Sequence, residues 1–158
     1  MPDMLVPLYK LPARPSDSFE CESEAILIRP ANTFEQTPVT DFIRAHFSQG
    51  WADETTSAFA RQPVTCLIAL TQNRVVGFAT YESTRRGFFG PTGVDEAYRG
   101  KGIGKALLIS AMWGLKDMGY AYGIIGGAGP TEFYAKGVNA IIIPDSVPGV
   151  YTNLIKRS

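Results

Sequence analysis

The chain has 158 residues, 45% of them hydrophobic and 19% charged, with 15 Lys+Arg balanced by 15 Asp+Glu. That length fits one domain and the apolar share suffices for a packed core, which excludes a large multidomain machine and a mostly disordered chain. The zero net charge lacks the global positive field through which a nucleic-acid binder releases counterions, so no nucleic-acid partner is expected; a local anion site is compatible with it.

Two cysteines, Cys21 and Cys66, are too few for a secreted disulfide scaffold. Cys66 lies in the apolar run VTCLIAL and reads as a core residue, whereas Cys21 lies in a polar stretch. No basic-then-apolar segment opens the sequence, and no apolar run approaches the roughly 20 residues of a membrane span. The expectation is a cytoplasmic protein with reduced thiols and no membrane contact. The one histidine, His46, sits in a helical pattern, and no zinc site is expected.

The predicted elements run as follows. VPLYKL, within residues 1–11, reads as a short edge strand, the place where Pro7 is tolerated. Residues 12–24 are polar and read as a loop. AILIRPA (25–31) is a strand. Thr33 caps a helical pattern in which Phe34, Val39, Phe42, Ile43 and Phe47 recur, and Gly50 ends it. Trp51 falls in the following loop, and a second helix covers 53–61 with Asp53 as cap. VTCLIAL (64–70), VVGFATYE (75–82) and the Gly- and Pro-interrupted FFGPTGV (88–94) form an antiparallel meander, with Arg85 and Arg86 in its second turn. The longest helix, 102–118, carries Ile103, Leu107, Ala111, Leu115 and Met118 on one face, with Gly119 as its stop and Trp113 as a packing residue. AYGIIGG (121–127) is a buried strand that completes a βαβ unit. A short helix at 130–136, a strand at 140–144 and an alternating C-terminal strand at 150–156 close the chain. The fold class is α/β (α+β) with a mixed sheet.

The strongest chemical signal is YRGKGIGKAL (98–107), between the irregular strand and the long helix. Gly100, Gly102 and Gly104 allow a tight turn that exposes backbone N–H groups. The helix start adds free amides and a positive dipole end, and Arg99, Lys101 and Lys105 add charge; together they form a phosphate or pyrophosphate site. A P-loop is excluded, because Arg99 stands where glycine is needed and Ala106 where the hydroxyl belongs. A dinucleotide fingerprint is excluded too: Gly104 comes one place early, and the loop follows an antiparallel meander rather than the first strand of a parallel sheet.

The run Arg99-Gly100-Lys101-Gly102-Ile103-Gly104 resembles the acyl-CoA motif of the Gcn5-related N-acetyltransferase (GNAT) family, which is Arg or Gln, two residues, Gly, one residue, then Gly or Ala. In that family the motif follows the fourth strand and opens the third helix. FYAKGVNA (133–140) looks like the family's Phe-Tyr-x-Lys-x-Gly-Phe segment, with Val138-Asn139 as a departure from it. The resemblance covers roughly residues 25–156. It implies a single acetyltransferase domain over 1–158, with a mostly antiparallel sheet flanked by helices and one splayed strand pair. It also implies acetyl-CoA as acyl donor and transfer to an amine, and places the general acid at Tyr134.

The residues fit that implication. Backbone of Thr92, Gly93 and Val94 can bond the pantetheine arm as a pseudo-strand, with Gly126 and Gly127 parting the opposing strand. The Val94 N–H can polarise the thioester carbonyl, and Tyr134, protonated at neutral pH, can donate to the departing thiolate. Arg99, Gly100, Lys101, Gly102, Ile103, Gly104 and Lys105 are expected to hold the pyrophosphate. Trp51 is a candidate for acceptor contact. Glu82, Asp53, Glu54 and Glu132 are candidates for the base, although each reads more readily as a solvated surface charge, and none is singled out. The expected reaction is acetylation of a small-molecule primary amine. Its rivals are a protein N-terminal or lysine acetyltransferase and a non-catalytic CoA-binding sensor or interaction module. Pairing of the 150–156 strand across a homodimer is compatible with these residues but not required by them.

Overall fold

A computed structural model describes residues 1–156; the expected 1–158 domain runs two residues beyond them. The strands are β1 (Met4–Pro7), β2 (Ser18–Cys21), β3 (Glu24–Pro30), β4 (Cys66–Thr71), β5 (Arg74–Tyr81), β6 (Phe88–Val94), β7 (Tyr122–Ile125) and β8 (Ile141–Ile142). The helices are α1 (Gln36–His46), α2 (Gln49–Phe59), α3 (Ile103–Asp117) and α4 (Thr131–Val138). All eight strands form one sheet in the order β2-β3-β4-β5-β6-β7-β1-β8. Every pairing is antiparallel except β6 with β7.

The two sheet faces carry separate cores, divided by the alternation of strand side chains. In β4, Leu67 and Ala69 face α3, whereas Cys66 and Ile68 face α1 and α2. The α3 side holds Leu107, Leu108, Met112 and Leu115 against Met4, Val6, Ile26 and Ile28. The other side holds Val39, Ile43, Ala52 and Phe59 against Ile68 and Phe78. Cys66 is fully buried, and that burial pushes its thiol up to about 12. Trp113 is pinned as a packing residue: its indole N–H donates to the Pro12 carbonyl at 2.9 Å, and Arg14 and Lys116 lie over its ring.

Several expected boundaries shift. The residue opening the first helical segment is Asn32 rather than Thr33; a 3-10 turn at Thr33–Glu35 leads into α1. Glu35 reaches back to the Asn32 N–H at 2.7 Å and accepts a two-pronged pair from Arg29 at 2.8 and 2.7 Å. Helix α1 stops at His46, not at Gly50, and α2 starts at Gln49 instead of 53. Its cap is Ser48, whose hydroxyl accepts the Trp51 N–H at 3.1 Å, so Asp53 is interior and Trp51 lies in the first turn rather than in a loop. The expected polar loop at 12–24 contains β2, which pairs with β3 as a hairpin.

The N-terminal strand is not at an edge. β1 lies between β7 and β8, and Pro7 is tolerated because β8 reaches only Met4 and Leu5, leaving Pro7 paired on one side alone. The expected strand at 150–156 does not form; β8 is the last strand, and Tyr151 turns inward to stand over Gly126.

The Arg29 pair holds the Glu35 carboxyl at about 2, below the 4.5 of the free group, chiefly through its hydrogen bonds. A folded value below the unfolded one gives stability that is present above about 4.5 and lost as the pH falls toward 2. Replacing Glu35 with Gln is expected to cost about 1 kcal/mol at pH 7 after solvent screening. Denaturant titrations should show that difference vanishing near pH 2.

Candidate active site

The site begins where β6 parts from β7. The two strands pair only at Phe88 with Ile124 and Phe89 with Ile125. Beyond that point Thr92–Val94 stay paired with β5, after an irregularity at Gly90 and Pro91, while Gly126–Ala128 leave the sheet, and a cleft of about 870 Å³ opens between the two. Gly127 cannot continue the ladder: it adopts a left-handed φ of +56°, and its N–H is taken by Asp3 at 2.8 Å.

Hydrogen bonding alternates along an antiparallel strand. Asp95 gives its N–H to Val76 of β5 at 2.8 Å, so the N–H of Val94, one residue earlier, faces away from β5 onto the cleft side. The Val94 carbonyl points the same way and accepts the Arg99 Nε at 3.1 Å. Thr92 shares this direction through its backbone, while its hydroxyl is spent on the Phe78 carbonyl at 3.0 Å. Gly93 is glycine because the Phe47 ring lies on it; a Cβ there would come within 2.4 Å of that ring.

The loop end of the cleft is built by Asp95–Gly102. A 3-10 turn over Glu96–Tyr98 carries the chain from β6 to the glycines, and Gly100 and Gly102 take φ of +77° and +84°. Space is not the reason for either glycine, since a Cβ would meet nothing at 4 Å; the left-handed backbone is. Gly102 opens α3, whose first helical bond runs from the Ala106 N–H to the Gly102 carbonyl. The amides of Ile103, Gly104 and Lys105 therefore lack helical partners and carry the positive end of the dipole.

The cations divide differently from the expectation. Lys101 is drawn back to Glu22 in the β2–β3 turn at 2.9 Å and lies over the Tyr98 ring. Cys21 and Glu24 hold the same loop, through the Lys101 carbonyl and the Tyr98 hydroxyl. Lys105 is exposed on the first turn of α3, and Arg99 lines the cleft. Ile103 faces the core at 1% exposure, so only its backbone is available to a ligand.

Trp51, Thr92, Gly93, Val94, Arg99, Gly104, Gly126, Gly127 and Tyr134 line one cleft. Gly100, Lys101, Gly102, Ile103 and Lys105 lie outside that lining, on the adjoining loop and helix start. Tyr134, on α4, is buried, with its ring edge-on to Phe89 at 6.2 Å, and burial raises its phenol pKa. Of the four carboxylates considered, Glu82 is buried in the turn, where it accepts from the Gly87 N–H and the Tyr120 hydroxyl. Asp53 accepts from Gln49, and Glu132 pairs with Lys136, both in solvent. Glu54 alone of the four lines the cleft.

Sequence reasoning did not single out Thr84 and Tyr151, which also line it. Thr84 sits in a hairpin turn with no motif around it. Tyr151 belongs to a segment whose alternation suggested a strand.

The sequence model of the Acetyltransferase (GNAT) family matches residues 29–126, more than half of the chain. The chain belongs to that family. The GNAT match takes in α1 through β7, including β6, the glycine loop and α3. Solved structures share the fold at low identity. One is the GCN5-related glucosamine N-acetyltransferase region of a fungal multi-domain GH3 β-N-acetylglucosaminidase, at 15% identity and a TM-score of 0.69, over 90% of this chain and 19% of that one. Another is a GCN5-related N-acetyltransferase from Sphaerobacter thermophilus, at 18% and 0.66, over 90% of this chain and 48% of that one. A third is a GNAT family acetyltransferase from Brucella melitensis in complex with acetyl-CoA, at 20% and 0.57, over 70% of this chain and 80% of that one. The chain thus spans about a fifth and about half of the first two structures. A comparison with curated protein sequences found no match.

Proposed function

We propose that this chain transfers an acetyl group from acetyl-CoA to the primary amine of a small molecule by direct attack. The observation that carries the reading is the splayed β6–β7 pair. It turns the Val94 N–H and the outward backbone of Thr92 toward a cleft with a helix N-terminus at one end and a buried phenol in its wall.

These residues suit acetyl-CoA by their chemistry. Free amides of the α3 first turn, with Arg99 and Lys105, would hold a diphosphate. The open edge of β6 would bond the amides of the pantetheine arm, as one strand bonds another. The donor supplies an activated thioester carbonyl at the far end of that arm.

The protein's own steps follow from the placement of its groups. The Val94 N–H donates to the thioester carbonyl oxygen, where negative charge grows as the neutral amine nitrogen bonds to the carbon, and the extra proton on that nitrogen passes to solvent water. Tyr134 gives its proton to the sulfur as the carbon–sulfur bond breaks. Its raised pKa keeps that proton in place at neutral pH. Val147, Pro148 and Tyr151 from the C-terminal segment line the cleft as well, which narrows the acceptor end and favours a small acceptor over a protein chain.

Titration calorimetry with acetyl-CoA tests the reading, with ATP and NAD as controls. Micromolar binding of acetyl-CoA alone is expected, followed by thiol release in the presence of an amine. Binding of ATP or NAD in its place would overturn the assignment of the glycine loop.

A further inference from the structure

We propose that Glu54 docks the ammonium group of the acceptor, and that the acceptor carries this amine on a flat apolar body that lies on Trp51. The inference deepens the acetyl-transfer reading and rests on it for the word acceptor. Its structural basis is independent of the glycine loop.

Trp51 and Glu54 are three residues apart on α2, so both fall on the same face of the helix, and both line the cleft. The helix is fastened to the hairpin turn beside the β6–β7 parting. The Ser57 hydroxyl contacts the Ser83 carbonyl at 2.6 Å, and the Ser83 hydroxyl donates to the Glu54 carbonyl at 2.6 Å. The Thr84 hydroxyl donates to Oε2 of the Glu54 carboxylate and lies 3.4 Å from the Gly90 carbonyl, where β6 leaves β7. These contacts fix the carboxylate at the parting of the strands. One hydroxyl satisfies only part of its acceptor capacity, since a carboxylate offers about four lone-pair sites.

Charge around the cleft is divided between its ends. Among the described residues, Glu54 is the only carboxylate in the lining and Arg99 is its only Lys or Arg side chain. Arg99 stands at the loop end, bonded to Val94. Tyr151 from the C-terminal segment stands over Gly126, where burial first, and then the charges of Glu54 and Asp3 against that of Arg85, raise its phenol pKa. Glu54 is thus the carboxylate that the cleft wall itself presents beside the Tyr151 phenol, a pairing that suits a cation.

Trp51 supplies the apolar half. Its ring is held by Phe47 at 5.3 Å and by Phe78 at 6.3 Å, yet it remains 37% exposed. An indole fixed in this way offers a flat face for stacking and an attraction for a nearby ammonium.

The test uses 2-phenylethylamine, with 2-phenylethanol as its neutral counterpart and 3-phenylpropanoate as its anionic one. Each is titrated into the wild-type chain and into Glu54→Gln, with and without CoA. Gln still accepts the Thr84 hydroxyl, so the melting temperature should hold. The expected result is that the amine binds wild type at least tenfold more tightly than either counterpart. Glu54→Gln should abolish that preference while leaving acetyl-CoA affinity unchanged. Equal amine affinity in wild type and variant, or an alcohol that binds wild type as well as the amine, would overturn the docking role. A chain that binds acetyl-CoA normally but shows no Glu54 dependence loses this inference and keeps acetyl transfer. One that binds the amine through Glu54 and ignores acetyl-CoA does the reverse.

Discussion

Tyr134→Phe is expected to lower acetyl transfer by about 10²–10⁴-fold, the range for loss of a positioned acid, while acetyl-CoA affinity stays near wild type. The substitution removes one oxygen and little else. The Tyr134 ring packs against Phe89 at 6.2 Å and Phe133 at 5.3 Å, contacts that a phenylalanine ring repeats. The pH dependence separates this role from a packing role. Burial raises the phenol pKa above its ordinary value near 10, so the proton is retained through neutrality and lost only as the pH climbs past that raised value. The wild-type rate should rise with pH as the acceptor amine loses its proton, then fall on the alkaline side as Tyr134 ionises. In Tyr134→Phe the alkaline fall should disappear and the acidic rise should remain. Thiol release measured across that range reads both limbs. Unchanged turnover in the variant would remove Tyr134 from the chemistry.

The elements that were legible in the sequence are those whose neighbours are local. The β4–β5–β6 meander is joined by short turns, so its apolar runs and Gly87 suffice to place it. Helix α3 carries its own stripe, buried at Ile103, Leu107, Ala111 and Leu115, although Met118, expected on the same face, is exposed just past the helix end. The glycine loop was legible because a left-handed backbone at Gly100 and Gly102 leaves few other residues available. β1 failed as an edge strand because its partners, β7 and β8, lie more than a hundred residues away, and nothing in VPLYKL records an insertion between them. β2 was lost in a polar stretch because a strand at the sheet's edge has no apolar alternation to display; its residues alternate only between exposed and half-buried.

The acceptor end was hidden for a related reason. Asp53 and Ser48 are both good caps, and the choice between them decides whether Trp51 and Glu54 share a helical face. Ser48 prevails because the Trp51 N–H reaches its hydroxyl. The cleft itself is a consequence of β6 and β7 pairing at only two positions, a property of two strands separated by α3 rather than of either alone.

Gly102→Asp is expected to abolish acetyl-CoA binding, and its partner Gly102→Asn divides the effect into backbone and charge. Gly102 holds φ of +84° at the start of α3, with open space where a Cβ would stand. Asp and Asn are the side chains that tolerate this conformation best, so each should cost the fold about 1 kcal/mol and the two melting temperatures should agree. They differ in charge alone. The free amides of Ile103, Gly104 and Lys105 attract an anion, and a carboxylate one residue away competes for them and repels a diphosphate. Lys101 is already committed to Glu22 at 2.9 Å, which leaves Arg99 and Lys105 as the cations beside the helix start. Calorimetry should therefore show acetyl-CoA affinity within about tenfold of wild type for Gly102→Asn and a loss of more than about a hundredfold for Gly102→Asp, a gap near 1.4 kcal/mol or larger. Added salt should narrow the gap, since a phosphate and a carboxylate at an exposed helix end interact through screened charge. Equal binding by the two variants would place the diphosphate somewhere other than the first turn of α3. Loss of binding in both would mean that the glycine backbone, rather than the field at the helix start, is what the ligand requires.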